Sequence, residues 1–223
     1  MIKRTMDIVL SGIALIVLLP LFPPIALILR LTGEGEVFYI QPRVGKEGKE
    51  FGLVKFATML KDSPNMSGGG ITLANDPRVL PFGRFLRKTK INELPQLWNI
   101  LKGDMSIVGP RPLVPESYME YPIEVKKEIY DLQPGLTGIG SIFFRDEEII
   151  FKNSCKPSEQ CYFDDILPYK GRLEVWYKKN QSIWLDLKLI FFTAWAIFNP
   201  KNKLCDKAFK SIPERPASLR SIQ

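Results

Sequence analysis

The stretch "LRKTKINELPQLWNILKGDMSIVGPRPL", Leu86 to Leu113, concentrates the residue types that could do chemistry. A basic run leads into Asn92 and Glu93, an apolar helical pattern follows, and Gly-Pro-Arg-Pro closes it. The chain has no histidine, so the commonest general base and transition-metal ligand is missing. Catalysis must then lean on carboxylates, on lysine and arginine, and on a hard cation such as Mg²⁺ that prefers oxygen ligands. Asn92 reads as a helix N-cap that puts Glu93 in the first turn. Pro95 is tolerated there, Leu94, Leu97, Trp98 and Leu101 make an apolar stripe, and Gly103 ends the helix. An amide stands where a second carboxylate would make an acidic pair.

The 223 residues suffice for one catalytic domain with an accessory element. At 45% hydrophobic and 25% charged, with no low-complexity tract, the chain is an ordered globular protein by composition. Its formal charge of +7, from 31 Lys+Arg against 24 Asp+Glu, suits an anionic partner: a lipid surface, a nucleotide, phosphate or nucleic acid. Cys155, Cys161 and Cys205 lack metal-site spacing and read as free thiols.

The elements that must hold these residues begin with "IVLSGIALIVLLPLFPPIALIL", Ile8 to Leu29, which carries no charge. As a helix it would be roughly 33 Å long, enough to cross a bilayer. Pro20, Pro23 and Pro24 interrupt it, each removing a backbone donor. Lys3 and Arg4 precede it and Arg30 follows, so charge bias allows both ends on the cytoplasmic side. A re-entrant helix kinked at Pro20 fits best, with Ser11 or the broken turn satisfying freed carbonyls. A single span and a cleaved leader are the alternatives, the second lacking a small-x-small site.

Beyond Arg30, Val37 to Gln41 and Glu50 to Phe56 read as two strands around Gly45 and Gly48. Ser67 to Gly83 is loop-like, and Arg84 to Lys90 a short basic helix or turn. "YPIEVKKEIYDL" offers an amphipathic helix, and "LQPGLTGIGSIFF" a Gly-rich turn running into a strand-like segment. Asp164 to Lys179 is helical and charged. Ser182 to Phe198 is strongly apolar, holds Asp186 and Lys188, stops at Pro200, and lies at an interface or in the core. The tail from Lys201 is basic. The expected class is α+β: a Pro-broken re-entrant membrane helix (1–31), a mostly helical cytosolic domain with a short hairpin or sheet and interfacial amphipathic helices (32–200), and a basic tail (201–223).

"RVGKEGKEF", "KFATM", "FGRFLRKTKINELPQLWNILKGDMSIVGPRPL", "LQPGLTGIG" and "SIWLDLKLI" follow one another behind the Pro-broken helix. In that order they resemble the bacterial sugar transferases called monotopic phosphoglycosyl transferases, or polyprenyl-phosphate hexose-1-phosphate transferases. The resemblance covers most of the chain. It implies transfer of a sugar 1-phosphate from a UDP-sugar to a polyprenyl phosphate, typically undecaprenyl phosphate, at the cytoplasmic face of the bacterial inner membrane. UMP leaves and Mg²⁺ assists. The family opens the "ELPQL" helix with an Asp-Glu pair, in which the Asp attacks the sugar-bound phosphate and the Glu accompanies Mg²⁺.

On that resemblance Glu93 and Asn92 are the catalytic candidates and Glu93 the metal ligand. Lys55, Arg84, Arg87, Lys88 and Arg111 are suited to neutralise a diphosphate, and Arg145 to contact the uridine or sugar. Phosphoryl transfer asks mainly for such positioning and neutralisation. Arg111, between two prolines, adds a planar fork on a stiff backbone. The competing reading makes Arg84, Arg87 and Lys88 a solvated face or a contact to lipid headgroups.

Three positions depart from the family pattern. Ala57 replaces the arginine of the "KFATM" box, and Leu19 stands where a serine often precedes the helix-breaking proline. Asn92 replaces the nucleophile. It is then an engineered trap, or Glu93 attacks in its place, or the lipid phosphate attacks the donor directly, or the protein is an inactive or regulatory membrane scaffold. A nucleic-acid-binding domain has no motif here and would need no apolar anchor. The apolar segments leave room for a homodimer.

Overall fold

The computed structural model describes residues 2–66, 72, 76–145, 147–199, 208–209 and 211–220. The Gly-rich start of the 67–83 loop, Asp146, Pro200, Cys205 and most of the expected tail lie outside them. The class is mixed: among the described residues, many helices accompany two small two-stranded sheets. The chain divides into two compact units, 1–42 with 51–105, and 43–50 with 106–223.

In the first unit α1 (Ile2–Leu18) passes through a 3-10 turn (Leu19–Leu21) into α2 (Phe22–Thr32). Together they make a 31-residue apolar helix, long and hydrophobic enough by length and composition to cross a membrane. Pro20 sits in the 3-10 turn, whereas Pro23 and Pro24 occupy the opening of α2, where no backbone donor is required. The two later prolines therefore start a helix instead of widening the break. Ser11 does not serve the kink either. Its Oγ donates to the Asp7 carbonyl at 2.5 Å, one turn upstream, and both residues are buried on one face of α1.

Strands β1 (Phe38–Val44) and β2 (Glu50–Phe56) pair around a 3-10 turn, Lys46–Gly48, close to the expected hairpin. Beyond β2 the chain bridges back on itself, Met59 opposite Val79, and Leu80 N–H donates to Thr58 O at 3.0 Å. Arg78 fixes that return by a buried two-pronged pair with Asp76, Nε to Oδ1 at 2.9 Å and Nη2 to Oδ2 at 2.7 Å. Helix α3 (Pro81–Lys88) starts earlier than the sequence predicts, since Pro81 is a good first helical residue. Gly83 lets it approach: a Cβ there would stand 2.3 Å from Thr58 O. A 3-10 turn, Ile91–Glu93, and α4 (Gln96–Lys102) complete the unit.

One apolar cluster ties these pieces together. Ile25 and Leu29 of α2 meet Phe56 of β2 and Leu86 of α3, with Phe22, Val37, Phe82 and Ile91 packed around them. The Phe22 and Phe56 rings lie 5.2 Å apart and Phe38 stacks on Phe56 at 5.4 Å.

In the second unit β3 (Ser106–Val108) pairs in parallel with β4 (Gly135–Thr137), Ser106 opposite Gly135 and Val108 opposite Thr137. Between them run α5 (Pro115–Met119) and α6 (Ile123–Ile129). The segment after Gly138 is a helix, α7 (Ile139–Phe143), not a strand-like run, because Gly138 takes the extended turn and lets the chain start a new helix. Short helices α8 (Glu147–Asn153) and α9 (Ser158–Cys161) lead through a π turn (Tyr162–Ile166) into α10 (Leu167–Asn180). Ser182 caps α11 (Ile183–Phe198), its Oγ accepting Leu185 N–H at 3.2 Å. Asp186 is buried but pairs with Tyr177, whose hydroxyl donates to its Oδ1 at 2.6 Å, and Lys188 bonds the Ala208 carbonyl. Helix α11 leaves Trp184, Leu187 and Phe191 exposed. A last turn is α12 (Ala217–Arg220).

Leu86 is fully buried at the centre of the first unit's cluster. Leu86→Ala is expected to cost about 2–5 kcal/mol, seen as a lowered thermal midpoint by circular dichroism in detergent. An unchanged midpoint would show that the cluster does not hold the unit.

Candidate functional site

The central turn is set by Lys90, whose φ of +62° places it in the left-handed region and turns the chain sharply after α3. The following residues do not enter the α-helix directly. Ile91–Glu93 form a 3-10 turn, Pro95 precedes the helix, and Gly103 closes it at φ +101°. Asn92 is therefore not the N-cap of α4, and no side chain caps that helix. The Asn92 side chain turns inward instead. It is 6% exposed, and its Oδ1 has no hydrogen-bond partner among the described residues. An unmet buried acceptor costs about 1–3 kcal/mol, so the oxygen is poised for a cation or a donor that arrives with a ligand.

Glu93, beside it, is half-buried and engaged. The adjoining helix α3, packed on this turn, carries Arg84 and Lys88 exposed and Arg87 half-buried, with Arg87 Nη1 3.6 Å from Met59 Sδ. Lys55 is half-buried on β2, in the same unit and one residue before the core Phe56. The first unit thus carries Asn92 and Glu93 on a turn packed against α3, which bears Arg84, Arg87 and Lys88, with Lys55 on β2. No group of three or more His, Cys, Asp or Glu able to hold a metal occurs among the described residues. A lone carboxylate beside an orphaned carboxamide oxygen still fits Mg²⁺, which commonly takes one or two protein oxygens and completes its shell with water and substrate phosphates.

Two residues that set this geometry escaped the sequence reading. Asn99, in the middle of α4, accepts Val54 N–H at 3.0 Å and donates to Gly52 O at 2.8 Å, so one amide acts as an extra rung on β2. Its only sequence signal is a lone amide inside "LWNIL". Arg4 donates to Ile100 O at 2.5 Å and Leu101 O at 2.7 Å, capping α4 from the start of α1.

In the second unit Arg111 stands on a turn held by backbone contact. A Cβ at Gly109 would lie 2.2 Å from Gln133 O, and one at Gly135 2.1 Å from Gly109 N. Gly109 N–H donates to Thr137 O at 2.9 Å and Gly135 N–H to Pro110 O at 2.8 Å. All peptide bonds of the turn are trans. Arg111 is half-buried and lines a cleft of about 30 Å³ with Tyr118, Tyr121 and Tyr130. Arg145 is half-buried after α7, with Nη1 buried and unpartnered among the described residues. Of the other carboxylates, Asp104 pairs with Lys102 at 3.2 Å, and Asp131 with Lys178, which holds the Asp131 carboxyl below the usual range. Cys155 and Cys161 are free thiols, as expected.

The profile of the family described as bacterial sugar transferase matches residues 1–200. The chain is 36% identical over 208 residues to undecaprenyl-phosphate galactose phosphotransferase of Salmonella typhimurium, covering 86% of this chain. It is 36% identical over 201 residues to UDP-glucose:undecaprenyl-phosphate glucose-1-phosphate transferase of Escherichia coli, covering 89%. It spans 40% of the length of each of those two proteins. Exopolysaccharide production protein ExoY of Rhizobium meliloti is 32% identical over 219 residues, with 88% of this chain and 85% of that protein covered.

Because the Gly109 contact is backbone against backbone, Gly109→Ala has no flexible neighbour to displace. It is expected to cost about 3 kcal/mol and to lower the melting midpoint accordingly. Gly12→Ala, with nothing within 4 Å of the added carbon, is the control and should leave the midpoint unchanged or raised. Equal midpoints for the two variants would contradict the packed turn.

Proposed function

The chain belongs to the bacterial sugar transferase family, and from that membership we propose that it moves a sugar 1-phosphate from a UDP-sugar to undecaprenyl phosphate. The observation that carries the reading is Asn92 Oδ1, buried and unpartnered beside Glu93 at the foot of a basic helix, within a chain so similar to the named transferases.

The lipid phosphate oxygen attacks the sugar-bound phosphorus of the donor. The bond from that phosphorus to the bridging oxygen breaks, UMP departs with the electron pair, and the product is a polyprenyl diphosphate-sugar. Asn92 cannot be the nucleophile in the way an aspartate can, since its lone pairs are delocalised and attack would create charge. It orients the reacting groups, while Arg84, Arg87, Lys88 and Lys55 of the first unit offset phosphate charge; in the second unit, the Arg111 fork is suited to phosphate oxygens. Glu93 and the Asn92 carboxamide oxygen would hold Mg²⁺ together with donor phosphates. Bound there, the ion would neutralise charge on the diphosphate.

The proposed setting is the cytoplasmic face of the inner membrane, with the apolar helix re-entrant. Two contacts support that topology. Arg4, before the apolar run, holds the end of α4, and Leu29, at its far end, packs on Phe56 and Leu86. Both ends are tied to the same unit, which a single crossing would separate.

Two experiments test this. With UDP-sugars, undecaprenyl phosphate and Mg²⁺, the protein is expected to release UMP with at least one sugar. Glu93→Gln should lower kcat by at least a hundredfold and Asn92→Ala by about tenfold, with no phosphosugar adduct on the protein by mass spectrometry. Silence across a broad sugar panel would leave only the scaffold reading, and an adduct on Glu93 would replace direct attack. For topology, in a chain whose three cysteines are replaced by serine, Lys3→Cys and Glu34→Cys should both react with a membrane-impermeant maleimide from the cytoplasmic side alone. Labelling from opposite sides would establish a single span.

A further inference from the structure

Behind the Gly-Pro-Arg-Pro turn lies a carboxyl that no step above uses. Glu174, on α10, is 3% exposed in the middle of the second unit. It accepts a hydrogen bond from the main-chain N–H of Arg111. Its Oε1 sits so close to α7 that a Cβ on Gly140 would be 2.5 Å away, so the carboxyl is gripped from that side as well. Its Oε2 is buried with no partner among the described residues. The surrounding charges do little to relieve it. Lys170, one turn back on α10, is 4% exposed and pairs with Glu147, its Nζ lying 5.3 Å from the Phe144 ring and 5.2 Å from that of Tyr162. Tyr177 and Tyr121, whose hydroxyl groups are pushed up by burial and by negative neighbours, face it from α10 and from the α5–α6 connection.

We propose that Glu174 is the positioning residue of Arg111: its carboxyl takes the Arg111 main-chain N–H behind the turn and so fixes where the guanidinium leaves the backbone beside the tyrosine-lined cleft. This rests on the functional reading above, in which Arg111 binds donor phosphate. Burial raises the Glu174 acid from 4.5 to about 8, against the smaller opposing pull of the Arg111 N–H and Lys170. At neutral pH the group is therefore mostly an uncharged carboxylic acid. An uncharged acceptor can grip the N–H without placing a negative charge behind the phosphate that Arg111 meets. Ionisation through pH 8 puts that charge there. The Gly109 and Gly135 contacts hold the turn as far as Pro110, which leaves the Arg111 N–H to Glu174.

Glutamine keeps the acceptor and cannot ionise; leucine fills the space and has no acceptor. UMP release is followed from pH 6 to 9.5 for the unchanged chain, Glu174→Gln and Glu174→Leu, with melting curves of each in detergent. Unchanged protein should lose activity as pH passes about 8. Glu174→Gln should stay within threefold of it at pH 7 and lack that alkaline fall. Glu174→Leu should lose at least tenfold in kcat at every pH while remaining folded, and Gly140→Ala, which displaces the carboxyl, should behave alike. Melting reads the protonation without substrate. Between about pH 4.5 and 8 the folded state holds a proton that the unfolded chain has shed, so stability falls with rising pH. Glu174→Gln should accordingly melt higher than the unchanged chain at pH 8, with the gap closing towards pH 4. Activity of Glu174→Leu within threefold of the unchanged chain overturns the proposal alone, as does a tenfold loss in Glu174→Gln at pH 7. No UMP release by the unchanged chain overturns the functional reading, and this proposal with it.

Discussion

The contact of Ile25 and Leu29 with Phe56 and Leu86 governs the first unit. All four side chains are buried, each contributing about 1.5–3 kcal/mol, so separating the apolar helix from β2 and α3 costs several kcal/mol. Ile91, packed on the same cluster, opens the turn that carries Asn92 and Glu93. The depth of that turn relative to the apolar helix is thereby set by packing and not by a flexible linker. Arg4 repeats the constraint at the other end of the helix. By taking the Ile100 and Leu101 carbonyls it places a positive charge at the C-terminal, negative end of the α4 dipole. An acceptor that lives in a bilayer and a donor dissolved in water can meet only at a defined height. In the proposed reaction, a turn held to the apolar helix by packing would supply it.

The second unit holds the Gly-Pro-Arg-Pro turn by different means, and on the proposed function this would keep the Arg111 side chain still. Its means are backbone contacts at Gly109, Gly135 and Gly138 and buried polar side chains on α10. Glu174 and Lys170 lie one turn apart, and Tyr177 reaches Asp186 on α11, so α10 buries a polar stripe that carries less favourable burial than an apolar one. A core built only for stability would not be written this way. Incompletely matched groups such as Glu174 Oε2 and Arg145 Nη1 mark where the interior is arranged around something other than its own stability.

Much of this was legible in the sequence where local chemistry decides. Gly45 and Gly48 announced the hairpin, and Gly103 the end of α4. The errors fall where tertiary contact overrides local preference. Asn92 has the propensity of a helix cap, yet packing of α3 against the next turn and the left-handed Lys90 make it a buried side chain in a 3-10 turn. Ile139–Phe143 has the composition of a strand, but among the described residues β4 pairs with β3 alone, and the chain after Gly138 coils into a helix against α10. Asn99, Arg4 and Glu174 were passed over for one reason. Each acts on a backbone group at least 45 residues away, and nothing in the neighbouring sequence records that partner.

The amide at position 92 changes the electrostatics of the turn more than its shape. Asparagine and aspartate nearly coincide in volume, so by size alone either fits the space. Two carboxylates at 92 and 93 would face a phosphate with two negative charges, and at about 4 Å each unit pair repels by roughly 4 kcal/mol at an effective dielectric constant of 20. With the amide, one of those repulsions disappears, while the cations of α3 stay where they are. The turn with Asn92 is consequently more tolerant of a second phosphate anion than a paired-carboxylate turn would be. The proposed direct attack by a lipid phosphate would draw on that tolerance, since two phosphate-bearing substrates must then be held together. A covalent route holds them one at a time, with the aspartate carrying the sugar phosphate between them.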